Sequence, residues 1–507
     1  MRFLLLILLP SLAAAAEFAP VFTDHAVLQR DRPVAVWGTG RNGEKIEVEI
    51  LGHELATEVR DGKWTVTLPA MPATDSTTLT LRGDDTVELK DVAVGEVWLG
   101  LGQSNMEWQL DQCGEFTAGM LAAADNPRVR ELKFPRRTNA DGPPSGFAWT
   151  TFDRASAPRF GAVAYFFAAA LQRRLGVTVG IVNCSHGGTM IEAWMSREAL
   201  AAAGKADLVA DYDRKVAEWP DTATYEKALA NYNKARKAWD ERKKTNPGDP
   251  QLGPAPVEPD GPRNKRRPAG LHEAMLSFIT PYTARGALWY QGESNAGQPG
   301  DYAKLLPVFV DSLRTAWQQP DLPFFLVQIA KPSTNLPDDG DAYPKFRDMQ
   351  RAAALALPHS GFVVALDRGK RGDVHPPDKQ PVGERLARLA LARVYGEKGF
   401  AAQSPSAESA RLTHGRVEIT FRDLPGKLQL RDPTVPTLEM RDESGAWKPA
   451  TAVAVSDDGK RLLASPPPGS GYPSEIRYAW RNFCTLSLFT DEGLPVAPWS
   501  LTVALGQ

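Results

Sequence analysis

The sequence predicts an α/β protein, a parallel sheet covered by helices on both faces, with an all-β module at either end. Three observations carry this reading. Apolar runs alternate with helical patterns through the middle of the chain. Both ends consist of short runs that alternate apolar and polar residues between turn signals. Four polar or glycine-rich turns follow the middle runs, on the strand edge where open parallel sheets bind ligands. At 507 residues the chain is longer than one hydrophobic core usually supports, and about three domains are expected.

Taken in order, the chain opens with one Arg, the apolar run Phe3 to Leu9 and small residues from Ala13 to Ala16. A charged start, a short apolar core and a small-residue cleavage region read as a secretory signal peptide over 1–16. The mature protein is then secreted or periplasmic. No Cys stands at the cleavage region for lipid attachment, and no later run approaches the roughly 18 apolar residues of a membrane span.

Over 17–92, Ile46, Val48 and Ile50, then Trp64, Val66 and Leu68, then Leu79 and Leu81 alternate with polar residues, and Asn42-Gly43 and Asp61-Gly62 supply turns. That is a small antiparallel β-sandwich. The segment 93–403 reads as the α/β domain. Its strands are expected at 94–99, 177–182, 287–290, 324–329 and 362–366, and its helices at 162–174, 302–317, 345–357 and 382–395. Within it, residues 198–267 break the rhythm: Tyr225, Leu229, Tyr232 and Trp239 stripe an otherwise charged helix, followed by a Pro/Gly-rich stretch and the basic cluster Arg263, Lys265, Arg266, Arg267. The segment reads as an inserted helical hairpin with a proline-rich return arm, the stripe as packing and the basic cluster as a solvated linker. From 404 to 507 a second β module follows, with runs at 417–421, 428–430 and 485–489.

Charge and composition narrow the function. A formal net charge of −2 leaves no global field to gather nucleic acid or an acidic membrane surface, and a neutral substrate fits it best. Three cysteines, Cys113, Cys184 and Cys484, are too few for a disulfide framework and allow one bridge at most. With no CxxC, no HExxH and seven histidines, the sequence offers no zinc site.

The four turns are GQSN with Ser104, CSHGGT at 184–189, QGESN at 291–295 and GDVHP at 372–376. A serine hydroxyl becomes a nucleophile when a base takes its proton, and His375 is the best-placed imidazole, with Asp373 to orient it. Asp367 and Glu293 compete for the acid, His186 and His272 for the base. An oxyanion needs donors already in place, which the backbone N–H of Ser104 and of Gly188 (or Gly187) and the side-chain amides of Gln291 or Asn295 could supply. Gln103, Asn105, Glu293 and Arg347 are candidates for substrate contact. Plainer readings stand beside these: His375 as a loop-ordering residue, Gly187-Gly188 as a tight connection, Glu293 as a structural acid.

The runs GQSNMEW, HGGTMIEAW, WYQGESNAG and DVHPPDKQPVGERLA resemble the sialate O-acetylesterase family of the SGNH hydrolases, and VFTDHAVLQRDRPVAVWG resembles its N-terminal β domain. The similarity spans nearly the whole mature chain. It implies a three-layer αβα, flavodoxin-like SGNH-hydrolase domain with flanking β modules, and a serine esterase that removes O-acetyl groups from sugars. Ser104 is then the nucleophile and His375 the base, acting through an acetyl-serine, with no metal or organic cofactor. Some members act on plant polysaccharides such as xylan or xyloglucan, which is one alternative; a glycan-binding protein without turnover is another. The chain departs from the family pattern at Gly100-Leu101, at Gly270 to Met275, and at Gly372, which occupies the place three before the histidine where many SGNH enzymes carry the acid. The oligomeric state is left open.

Overall fold

The computed structural model describes residues 15–246, 249, 251–332, 336–432 and 437–506. Most of the expected signal segment, residues 1–14, lies outside them. No helix among the described residues is long and apolar enough to cross a membrane.

The organising element is one long strand, Thr86–Gly102. Its first half pairs with Val27–Gln29 and Thr74–Arg82 of the N-terminal β module. Its second half is buried throughout and lies at the centre of a sheet ordered Trp149–Asp153, Asp125–Lys133, Val179–Ser185, Thr86–Gly102, Gly286–Tyr290, Phe324–Gln328, Ser360–Val364. All neighbours in this run are parallel except the first pair. Strands buried on both faces read as continuous apolar runs, which is why the sequence displays them plainly. The strand crosses the expected boundary at 92/93 without a break.

Helices Ala162–Leu175 and Gln380–Arg393 pack on each other and against one side of this sheet. Helices Pro299–Ala316 and Ala342–Ala356 pack on the other side. Two strands, Asp125–Lys133 and Trp149–Asp153, escape the sequence reading. The first carries DNPRVRELK, whose charges look solvated, yet Arg130 is buried through hydrogen bonds to His25 O and Asp91, and Glu131 through the Gly161 N–H and the Asn183 amide.

The insert contains the helices Ala206–Ala217 and Thr222–Thr245. Its return arm lies along the aromatic stripe: Arg263 N–H donates to Tyr225 Oη at 3.2 Å and Trp239 Nε1 to Gly253 O at 3.2 Å. The basic cluster is not a solvated linker. Arg263 pairs with Glu226, Arg267 with Glu273, and Arg266 donates to the Gly188 carbonyl. The C-terminal module is an eight-stranded sheet with a separate pair, Leu428–Leu430 and Leu488–Thr490, so the last expected strand is shorter and shifted. Cys113, Cys184 and Cys484 are buried and unbridged.

Candidate active site

Register brings the first three turns together. Gly102 stands opposite Ser185 on one neighbouring strand and opposite Tyr290 on the other, so Gln103-Ser104, His186-Gly187-Gly188 and Gln291 to Asn295 emerge side by side. Gln103 N–H donates to Tyr290 O and His186 N–H to Gly102 O, both at 3.0 Å. Gly102 has φ +132°, and a Cβ there would stand 2.2 Å from Tyr290 O, so only glycine lets the strand turn here. Ser104 then heads the short helix Ser104–Glu107, and its N–H has no acceptor among the described residues.

His375 comes from the loop beyond the edge strand Ser360–Val364 and reaches back across the sheet. Its Nε2 lies 2.7 Å from Ser104 Oγ. The Trp108 ring stacks on the imidazole, 4.5 Å between centroids at 19°. Burial first, and then the Lys379 ammonium, lower the imidazole to about 4 from its usual 6.5, against the Asp373 charge. The ring is therefore neutral at neutral pH and free to accept a proton.

Behind this pair lies a buried polar knot. Asn105 is fully buried; its Nδ2 donates to Glu293 Oε1 at 2.5 Å and to Val374 O at 3.0 Å, and its Oδ1 accepts from Lys379 Nζ. The residue after the serine thus holds the backbone just before the histidine. Lys379 is lowered to about 8 by burial, with Glu293 opposing, and burial raises Glu293. Asn105 is accordingly an internal tie and not a substrate contact.

The acids separate cleanly. Asp373 Oδ1 accepts the backbone N–H of His375 at 2.8 Å, and no side-chain hydrogen bond joins it to the ring among the described residues. Asp367 is committed elsewhere: Arg385 grips both its oxygens at 2.7 Å and Arg368 adds a third contact at 2.9 Å. Burial would raise its carboxyl, but these cations hold it low. The competing bases also fall away, since no hydrogen bond links His186 or His272 to Ser104; burial and the Lys265 and Arg136 charges lower His186 to about 4.

Several expected contacts need correction. Both amide hydrogens of Gln291 are spent on Thr189 O and Asn295 Oδ1. Asn295 donates to Glu192 and accepts from Ile191 N–H. Neither amide is presented to an oxyanion, because each stitches one buried turn to the next. Gly187 N–H is taken by Glu107 Oε2 at 2.9 Å. Gly188, at φ +74°, keeps an N–H without an acceptor among the described residues, and a Cβ on Gly187 would stand 3.2 Å from Ser104 Cβ. Gln103 is buried and its Oε1 receives Ser294 N–H. Arg347 is wholly buried, donating to the carbonyls of Ile329, Ala330, Arg481 and Asn482; it fastens the C-terminal module. Glu293 alone of the four candidates keeps partial exposure as a residue, but its Oε1 accepts from Asn105 and its Oε2 is buried, so its carboxylate faces inward.

Sequence reasoning passed over Glu107, Trp108 and Lys379, although each stands inside a quoted motif. A cleft of about 740 Å³ adjoins the site through Glu107 and Ser185, with Lys133, Arg136, Phe147 and Arg159 along its walls. Ser104 and His375 are outside its lining.

The family model for "carbohydrate esterase, sialic acid-specific acetylesterase" matches residues 94–240 and 269–392, leaving 241–268 unmatched between them. Among curated relatives, the sialate O-acetylesterase of Rattus norvegicus is 27% identical over 96% of this chain and 94% of its own length. That of Mus musculus is 28% identical over 92% and 90%. A crystal structure of a carbohydrate acetylesterase from Xanthomonas citri superposes with a TM-score of 0.77 at 28% identity, covering 96% of this chain and 99% of that one.

Proposed function

Because this chain belongs to the sialic acid-specific acetylesterase family of carbohydrate esterases, we propose that Ser104, His375 and Asp373 carry its reaction. The protein is a carboxylic ester hydrolase that removes O-acetyl groups from carbohydrates. The 2.7 Å approach of His375 Nε2 to Ser104 Oγ carries the residue assignment. Neutral His375 accepts the Ser104 proton as Oγ attacks the acetyl carbonyl. The oxyanion is received by the N–H groups of Ser104 and Gly188, neither of which has an acceptor among the described residues. On collapse the imidazolium returns its proton to the sugar oxygen, and the freed hydroxyl departs. Water, deprotonated by the same ring, then attacks the acetyl-serine, and on collapse the acyl–Oγ bond breaks, the imidazolium returns the proton to Ser104 Oγ, and acetate leaves. Asp373 acts through its charge and through the loop it holds; Asp367 is a structural ion pair.

The helix-covered parallel sheet supports the three-layer αβα SGNH architecture, with β modules on either side of it. Export through residues 1–16 is part of the same reading. Sialate and plant-polysaccharide acetyl esters are separated by assaying acetylated sialic acids beside acetylated xylan and xyloglucan. The assignment is tested with 4-nitrophenyl acetate: Ser104→Ala should lower turnover by about three decades or more. Equal rates in folded wild type and variant would leave a glycan-binding protein, or a different nucleophile.

A further inference from the structure

The Gly187-Gly188 turn has a weakness that its sequence makes plain. Two consecutive glycines carry no side chains to pack, and glycine has more backbone freedom to lose than any other residue. An oxyanion donor contributes only while it points at the developing charge, so this turn has to be held from outside. The nucleophile's own segment supplies one hold, through Glu107 Oε2 on the Gly187 N–H at 2.9 Å. The second comes from a distant stretch of chain. Arg266 Nε donates to the Gly188 carbonyl at 3.1 Å, and Lys265 Nζ rests against the same glycine, where an added Cβ would stand 2.9 Å from it.

Both residues belong to the return arm of the helical insert, in the stretch 241–268 that the family model does not match. The arm is itself anchored. Tyr212 Oη and Gly261 exchange hydrogen bonds, Tyr225 Oη receives Arg263 N–H, and Arg263 pairs with Glu226 at 2.8 Å. Lys265 is half-buried, and burial lowers its ammonium against the Glu258 charge.

We propose that Arg266 is a positioning residue for the oxyanion turn, so that the helical insert completes the esterase site by holding the Gly188 carbonyl while Glu107 holds the Gly187 N–H. The peptide planes on either side of the 187–188 peptide are each tied by a charge-assisted hydrogen bond, the stronger class of such bonds. The turn is thereby kept against Ser104 with the Gly188 N–H unspent. This rests on Ser104 and Gly188 acting as proposed above.

The test uses the full-length enzyme and 4-nitrophenyl acetate, an acetyl ester with no sugar for the insert to touch. Arg266→Met keeps the aliphatic stem of an exposed side chain and removes the donor. We expect kcat to fall about tenfold, a fraction of the loss on deleting an oxyanion donor outright, with KM within about twofold and an unchanged melting temperature. Arg266→Lys should recover part of that loss. Wild-type kcat in folded Arg266→Met, with any defect confined to acetylated sugars, would overturn the proposal and make Arg266 a sugar contact. If Arg266→Met does not fold, the same comparison is made with Arg266→Gln. Ser104→Ala, run alongside, separates the two readings: an active Ser104→Ala refutes the nucleophile, whereas an inactive one beside a fully active Arg266→Met refutes only the insert's role.

Discussion

The two halves of the site, the Ser104 turn and the His375 loop, are built by different physics. Ser104 is located by backbone register, because Gly102 is flanked by Ser185 and Tyr290 and the turn leaves the sheet where those strands end. His375 hangs on side chains: Asn105 on Val374 O, Lys331 Nζ on Gly369 O at 2.8 Å, and the Trp108 ring on the imidazole. The difference teaches that Ser104, the proposed nucleophile, cannot be displaced without damaging the fold, whereas His375, the proposed base, can be tuned while the fold stands.

The largest effect should come from the register side. Gly102→Ala combines a backbone conformation reserved for glycine with a Cβ driven into Tyr290 O, a cost of about 2–6 kcal/mol. Soluble yield and melting temperature should drop sharply, and activity with them. A stable, active Gly102→Ala would end the contrast between the halves.

On the His375 side, the two aspartates should part company. Asp373→Asn should fold and lose turnover by roughly two to four decades with little change in KM, since an amide cannot stabilise the imidazolium. Asp367→Asn should do the reverse. It leaves the Arg385 guanidinium buried without its carboxylate, costing about 3–5 kcal/mol of stability, while the folded fraction keeps most of its turnover. Thermal melts and kcat on the same preparations decide the order; a reversed order moves the acid to Asp367.

The smallest effect is a shift of pH profile. Burial and then the Lys379 charge hold His375 at about 4, and a general base, the role proposed for it, works only when unprotonated. The acid limb of kcat/KM should therefore lie near pH 4 in the wild type. In Lys379→Met the cation is gone, the imidazole rises toward its usual 6.5, and the limb should move to higher pH. An unmoved limb would mean that Lys379 only ties Asn105.

Much of this site was legible because it is local. The apolar runs before Ser104 and Gln291 are strands buried on both faces, and a small-residue turn after such a run needs no partner to be recognised. Glu107, Trp108 and Lys379 were visible as letters without a role, since a carboxylate, an indole and an ammonium take their meaning from what they face. Gln291, Asn295 and Arg347 misled for the same reason. Amides and guanidinium groups suit oxyanions and carboxylates, but here backbone carbonyls and neighbouring side chains occupied them first.

By itself, then, the sequence determined the alternation of strands and helices and the β runs toward either end, and it singled out Ser104 and His375 as the proposed pair, because periodicity, turn residues and nucleophile chemistry are written in neighbouring positions. Only the tertiary structure decided which N–H groups remain free, which aspartate is held by Arg385, and that a basic stretch some 78 residues beyond Gly188 closes over it. Those outcomes turn on competition for hydrogen-bond partners between segments far apart in the chain, and a one-dimensional pattern carries no record of which donor reaches an acceptor first.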